Sequence, residues 1–322
     1  MLKDNHQRTI NYVRLAVTDR CNLRCTYCMP ENMQFLERSS LLSYEEIVRL
    51  MQVLTDAGIN KIRITGGEPF LRKDLMLLLE QLAPMAGISI TTNGVLTAPF
   101  IPALKALGIH QINLSLDTLQ ADRFFRITRR DQFSAVQQTL ETLLAHEMDI
   151  KINMVVMDGM NTDELIDFTE LTRSHAVSVR FIEEMPFNGQ GNRFSGINWN
   201  YLRILDTIRS QYTLEKITDA PNSTSMNYRI PEHKGSIGVI PAYSRTFCGT
   251  CNRIRITPTG GLKTCLYGDD VLNVKSLFRE GSTDIELLEH LQAALQHRAK
   301  DGFEAAASNT HAQLESMSVI GG

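Results

Sequence analysis

Six short segments constrain the fold more than anything else in this chain. "YVRLAVT", "KIRIT", "ISITTN", "INLSLD", "IKINMVV" and "VSVRFIE" follow one another between residues 12 and 183, separated by stretches long enough to carry a helix back across a sheet. Successive residues of a strand point to opposite faces, so each segment divides into two sets of side chains. One set is apolar, running from Val13, Leu15 and Val17 through Ile62, Ile64, Ile88, Ile90, Ile112 and Leu114 to Val177, Val179 and Phe181. The other holds Arg14, Arg63, Thr65, Ser89, Thr91, Asn93, Asn113, Ser115, Asp117, Lys151, Asn153, Ser178 and Arg180. Crossover helices covering the outer face draw the apolar set outward and send the polar set to the interior. A closed eight-stranded barrel fills its centre with Val, Ile and Leu. A polar lining predicts instead an α/β fold, an incomplete (β/α)6 TIM-type barrel splayed around a wet, cationic cavity for a large anionic ligand. An antiparallel sheet with one face in solvent alternates in the same way, but the crossover lengths favour parallel strands.

The helices carry their own punctuation. In "SYEEIVRLMQVLTDAG", Ser43 is an N-cap with Glu46 three residues on, Ile47, Leu50, Met51 and Leu54 form the apolar stripe, and Gly58 ends the helix. From about residue 211 the rhythm breaks into Pro-, Ser- and Asn-rich loops and short strands. This divides the chain into residues 1–210, the barrel, and residues 211–322, a smaller α+β C-terminal unit. There "RIRITPTGGLKTC" reads as a hairpin around Gly260 and Gly261, and "DIELLEHLQAALQHRA" as a helix.

All six cysteines fall into two groups, Cys21, Cys25, Cys28 and Cys248, Cys251, Cys265. Such spacing in a large chain without a secretion signal argues for metal and not for disulfides, and the expected setting is the reducing cytoplasm. A structural zinc site closes with four ligands, whereas each group stops at three thiols. Soft thiolates suit iron and sulfur, and three cysteines on a four-iron cubane leave one iron open to a small molecule. For the second group, spacing alone also allows a zinc ribbon completed by a distant histidine such as His233. Arg253 and Arg255 stand two apart and share a strand face, which offers two guanidinium forks to a phosphate chain; a solvated edge strand shows the same pattern. A net charge of −3 excludes the broad basic surface of a nucleic-acid binder, and no apolar run is long enough to span a bilayer.

The Cys-x3-Cys-x2-Cys loop after the first strand, with Tyr27 before its third cysteine and "TGGEPFL" after the second strand, resembles the radical S-adenosylmethionine superfamily. In the latter motif Gly66 and Gly67 leave room for close backbone approach, Glu68 offers a carboxylate and Pro69 fixes the turn. Adding "TTNG", "NLSLDTL", "VRFIEEMP", "FCGTCNRIRIT" and the terminal "IGG", the chain is similar nearly end to end to the family within it that cyclises GTP in molybdenum cofactor biosynthesis. The departures are Ala16, where that family's pattern has Ser, and a variable stretch at 190–235.

The resemblance implies a lyase with two [4Fe-4S] clusters and S-adenosylmethionine as cofactors. Cys21, Cys25 and Cys28 would hold the cluster that cleaves S-adenosylmethionine, with Tyr27, Gly67, Ser115 and Met185 contacting that cofactor. Cys248, Cys251 and Cys265 would hold a second cluster that meets the guanine base. Arg14, Arg63, Thr91, Lys151, Arg180, Arg253 and Arg255 would bind GTP, and the product would be 3′,8-cyclo-7,8-dihydro-GTP. The implied partners are a reductant such as flavodoxin or ferredoxin and the cyclic pyranopterin monophosphate synthase accessory protein downstream; a homodimer is left open. The C-terminal Gly321 and Gly322 read by themselves as a frayed end, whereas the resemblance implies a flexible tail reaching into the active site. Two rivals stay open: a radical peptide-modifying enzyme with auxiliary clusters, and a zinc- or redox-sensing binding protein without catalysis.

Overall fold

Strands form where the sequence alternates, and they do so in order. The computed structural model describes residues 1–187, 197–309 and 315–321. Its first six strands are β1 (Tyr12–Ala16), β2 (Lys61–Thr65), β3 (Gly87–Thr92), β4 (Gln111–Ser115), β5 (Asp149–Val156) and β6 (Ser178–Glu183). Each lies within a residue of its predicted segment, apart from the first and fourth, which end two residues early. They are parallel and neighbour one another in chain order, as helical crossovers require.

The crossover helices pack the apolar set. The helix Tyr44–Asp56 begins at Ser43 with the reciprocal capping box to Glu46, buries Ile47, Leu50, Met51, Val53 and Leu54, and is followed by Gly58 at φ +106°. Such a cap stabilises a helix by about 1 kcal/mol. Opposite it, Val13, Leu15, Ile62, Ile64, Ile90, Ile112 and Leu114 are fully buried in one continuous apolar core.

The later strands are β7 (Glu215–Lys216), β8 (Met226–Arg229), β9 (Ser236–Ile240), β10 (Arg253–Ile256), β11 (Gly261–Lys263) and β12 (Leu272–Asn273). They extend the same sheet at both edges, in the order β12-β11-β10-β1-β2-β3-β4-β5-β6-β9-β8-β7. The hairpin around Gly260 and Gly261 is present, with β10 antiparallel to β11. What the alternation did not reveal is that β10 also runs parallel to β1, and β9 parallel to β6. The reason lies in distance along the chain: β1 and β10 are separated by most of the sequence, so no local pattern records their pairing. Among the described residues no helix is long and apolar enough to cross a membrane.

Candidate active site

Sheet register builds the site. Arg14 stands opposite Arg255 on β10 and Arg63 on β2, and Arg63 stands opposite Ser89 on β3. One row across four strands therefore carries three guanidiniums pointing the same way. The next row aligns Arg253, Tyr12 and Lys61. Further round, Thr91 pairs with Asn113, Ser115 with Asn153, and Asn153 with Arg180.

From these rows Arg14, Arg63, Thr91, Ser115, Asn153, Arg180, Arg253 and Arg255 reach a cavity of about 300 Å³, within the range of small-molecule sites. All six cysteines line it, together with Arg14, Tyr27, Arg63, Gly67, Thr91, Ser115, Arg180, Met185, Arg253 and Arg255. Lys151 is the exception among the expected residues. Its ammonium is held 2.8 Å from Asp149 Oδ2, two residues earlier on the same strand face, and the residue is not part of the cavity wall.

The cations are crowded and buried. Burial and the charges of Arg14, Arg180 and Arg253 bring Arg63 down to about 10, against the opposing pull of Tyr12. Burial together with Arg14 and Arg253 puts Arg255 well below the ordinary arginine range. Burial alone would raise Tyr12; the charges of Arg63, Arg14 and Lys61 overcome it and bring the phenol to about 8. Lys61 and Arg63 also lie over the Tyr12 ring, 5.2 and 5.6 Å from its centre. Among the described residues the buried Nε atoms of Arg14, Arg180 and Arg253 and Oδ1 of Asn153 have no hydrogen-bond partner. Buried donors are rarely left this way, so the surface fits a ligand rich in anionic oxygens.

The first triad sits in the loop after β1 and is held from three sides. Gly67 N donates to Thr18 O and Glu68 N to Arg20 O, both at 2.7 Å. A side chain at Gly66 or Gly67 would run into those carbonyls. The two glycines line the cavity, and the backbone they admit most closely is the cysteine loop itself. Glu68, expected to offer a free carboxylate, is fully buried and accepts from Phe70 N, Thr92 Oγ1 and Asn93 N. Burial raises it to about 7 despite those bonds. Asn93 continues the chain of contacts to Asn22 Oδ1 at 2.8 Å and to Cys21 Sγ at 3.6 Å.

Tyr27 donates to Asp117 Oδ2 at 2.9 Å, and Asp117 Oδ1 accepts from Val155 N. Burial lifts Asp117 to about 6 against both bonds. Burial, helped by Glu68, pushes Cys21 up to about 11, and burial, with Asp117 and the neighbouring thiols, drives Cys25 and Cys28 well up too. The alternation places Asn93 and Asp117 on the inward polar face without a role, whereas Asn22, Tyr12 and Lys61 were not named from the sequence. For Tyr12 and Lys61 the signal was available, since each lies two residues before an inward arginine.

The second triad lies at the start of β10 and the end of β11. Burial raises Cys248 and Cys265. Burial acts on Cys251 too, but Arg253 and Arg298 outweigh it and hold the thiol below the ordinary range. His233 is elsewhere: its Nδ1 is 2.8 Å from Thr172 Oγ1, and it is not part of the cavity wall. It cannot complete a zinc ribbon from there. Among the described residues no group of three His, Cys, Asp or Glu side chains is gathered as the ligands of one metal ion. A multi-iron cluster draws its thiolates from corners set further apart than the ligands of one ion, and each triad offers three soft donors with no fourth.

The C-terminal segment joins the two walls. Met317 N and Ser316 Oγ donate to Cys28 O at 3.2 and 2.9 Å. Arg255 Nη1 donates to Ile320 O at 3.3 Å and to Gly321 O. Gly321 has φ +74°, and a Cβ there would come within 3.1 Å of Ala16 Cβ and 3.2 Å of Thr65 Cγ2. Docking, not fraying, describes residues 315–321; Gly322 lies outside the described residues.

A parallel sheet with an open thiol triad in the loop following its first strand defines a radical S-adenosylmethionine protein. A model of the radical SAM superfamily matches residues 15–172, and one described as Molybdenum Cofactor Synthesis C matches residues 177–303. The chain is 40% identical over 303 residues to the GTP 3′,8-cyclase of Desulforamulus reducens, covering 92% of this chain and 93% of that one. It is 38% identical over 310 residues to the mitochondrial GTP 3′,8-cyclase of Arabidopsis thaliana, covering 92% and 78%. Molybdenum cofactor biosynthesis protein 1 of Dictyostelium discoideum is 42% identical over 305 residues; this chain spans about half of it, 48%, and 92% of itself is covered. The chain belongs to the GTP 3′,8-cyclase family. Among solved structures, that of Streptococcus suis SuiB bound to precursor peptide SuiA aligns with TM-score 0.66 at 14% identity, over 96% of this chain and 71% of that one. At that identity it shows a shared fold only. Superfamily membership carries S-adenosylmethionine and one [4Fe-4S] cluster with it.

Proposed function

We propose that the chain converts GTP to 3′,8-cyclo-7,8-dihydro-GTP, the first step of molybdenum cofactor biosynthesis, using two [4Fe-4S] clusters. The observation that carries this reading is the cation row Arg255-Arg14-Arg63, placed by strand register in one cavity with both thiol triads. A peptide substrate would not call for so many inward guanidiniums, and a sensor without catalysis would not need the cavity.

Cys21, Cys25 and Cys28 would hold the first cluster, and Cys248, Cys251 and Cys265 the second. When bound and reduced, the first cluster would supply the one electron for cleavage of S-adenosylmethionine, with methionine leaving and the 5′-deoxyadenosyl fragment free to take hydrogen from the ribose C3′ of GTP. The residues of the chain have other work. Tyr27, fixed by Asp117, shapes the cofactor pocket together with Gly67, Ser115 and Met185. Arg14, Arg63, Arg253, Arg255 and Arg180 bind the triphosphate, and Thr91 contacts the nucleoside. Lys151 reaches the substrate only by leaving Asp149. With phosphates fixed at one row and base at the second triad, the ribose is held between them, and positioning of this kind supplies much of a radical enzyme's rate. The docked residues 315–321 keep water from the reacting carbon.

In this reading the sheet is an incomplete (β/α)6 barrel, residues 1–210, with residues 211–322 as the unit bearing the second cluster. Free thiols in both triads suit a reducing compartment, which we take to be the cytoplasm, with a flavodoxin- or ferredoxin-type reductant. The test is anaerobic incubation of the reduced protein with S-adenosylmethionine and GTP. GTP-dependent release of 5′-deoxyadenosine with the cyclised product is expected, whereas zinc without iron in the purified protein overturns the proposal.

A further inference from the structure

The second triad is gripped by a buried charge network that places a guanidinium on a thiol sulfur. Asp4 and Arg298 are 1% and 3% exposed. Arg298 Nη1 is 3.2 Å from Asp4 Oδ2, and its Nη2 donates to Cys251 Sγ at 3.1 Å and to Arg253 O at 2.9 Å. Asp4 also holds Arg8, with Nε at 2.6 Å, and Arg8 Nη1 donates to Cys248 O at 3.1 Å. One carboxylate thus orients two guanidiniums, one on a thiol sulfur and one on the carbonyl of a neighbouring thiol residue. On the first triad, among the described residues, the sulfur of Cys21 accepts from neutral donors, Leu23 N at 3.4 Å and Asn93 Nδ2 at 3.6 Å, while the guanidinium of Arg24 donates to the Cys21 carbonyl at 2.7 Å and not to the sulfur.

We propose that Arg298, oriented by Asp4, is a positioning residue that raises the reduction potential of the cluster held by Cys248, Cys251 and Cys265. The inference rests on the reading of that triad as a cluster site. A reduced cluster carries one more negative charge than an oxidised one, and a cationic donor on a ligating sulfur stabilises the more negative state. The effect is strong because the donor is buried, where charges are poorly screened. Asp4 limits it by partly neutralising the guanidinium while fixing its direction. The second cluster is thereby set at a higher potential than neutral donors would give it, and the first is left low, as reduction of a sulfonium requires.

The experiment is an EPR-monitored redox titration of the anaerobically reconstituted full chain, beginning with iron and sulfide content. A wild-type chain carrying iron for one cluster alone refutes the second-cluster reading itself, before any variant is compared. With both clusters present, Arg298→Gln is expected to lower the second cluster's reduced-to-oxidised ratio about tenfold at fixed poise, equivalent to about 59 mV for a one-electron couple. Arg298→Lys, which keeps the charge, is expected to recover most of that shift, and the first cluster is expected not to move. Asp4→Asn, which removes the counter-charge, is expected to shift the second cluster in the opposite direction, and it decides the matter alone if the Gln chain loads only one cluster. Unshifted potentials in the variants that load both clusters overturn the proposal.

Discussion

The two thiol triads line one cavity but differ in the charged groups packed behind them. Glu68 behind Cys21 and Asp117 behind Cys25 and Cys28 make the thiols harder to ionise, with Arg24 opposing at Cys21. Around Cys251 the charged groups are Arg253 and Arg298, which do the reverse. The difference teaches how one cavity sorts two ligands. Under the proposed function, the arginines beside the second triad would draw the nucleoside triphosphate, leaving the first triad to S-adenosylmethionine.

The largest expected effect separates the walls outright. Cys25→Ala should abolish 5′-deoxyadenosine release and remove about half of the bound iron. Cys248→Ala should remove a similar share of iron while leaving slow cleavage of S-adenosylmethionine that GTP no longer stimulates. If the second substitution silences cleavage as completely as the first, the division of labour is wrong.

Next comes the phosphate row. Arg253→Ala and Arg255→Ala should each weaken GTP binding by about 10- to 100-fold, since a charge-assisted hydrogen bond contributes about 1.5–3 kcal/mol. Calorimetry should find the affinity for S-adenosylmethionine unchanged; an equal loss of both would merge the two walls into one.

Proton linkage at Tyr12 is smaller and has a definite sign. The surrounding charges bring its phenol to about 8 in the free protein, so above that pH a phenolate already occupies the cation cluster. A bound triphosphate opposes that charge and raises the phenol again, so binding takes up a proton. GTP affinity should fall as pH rises through about 8, by up to about tenfold per unit, and Tyr12→Phe should flatten the profile. A wild-type profile flat from pH 7 to 9 would uncouple Tyr12 from GTP binding.

The smallest effect concerns the segment that bridges the walls. Gly321→Ala meets a positive φ and close contacts with Ala16 and Thr65, a cost of about 1 kcal/mol. Faster amide exchange at Met317, whose N–H rests on Cys28 O, would report the loosened tail. Unchanged exchange would mean that this residue does not anchor it.

Much of this was legible in the sequence because it was local. Alternation along each strand located β1 to β6 and sorted Arg14, Arg63, Thr91, Ser115 and Arg180 to the inner face, and Ser43 with Glu46 marked a helix start. The cysteine groups announced themselves by spacing. Pairings distant in the chain left no such trace: Arg253 and Arg255 were visible as a pair, but not as the continuation of the Arg14-Arg63 row across β10. Lys151 met the alternation rule and still missed the cavity, because Asp149 two residues earlier on the same face captures its charge. Glu68 read as a carboxylate on offer, and it is engaged as a strut by Phe70 N, Thr92 Oγ1 and Asn93 N, since a buried carboxylate recruits the donors within reach. Nor could periodicity foresee that Asp4, near one end, would meet Arg298, near the other.

The parallel pairing of β1 with β10 has a consequence for how the molecule comes to exist. β1 gains its second neighbour only once a strand about 240 residues further along has been synthesised. The loop bearing Cys21, Cys25 and Cys28 follows β1 directly, so the wall with the second triad closes on it late in the order of synthesis, and the segment that rests on Cys28 O later still.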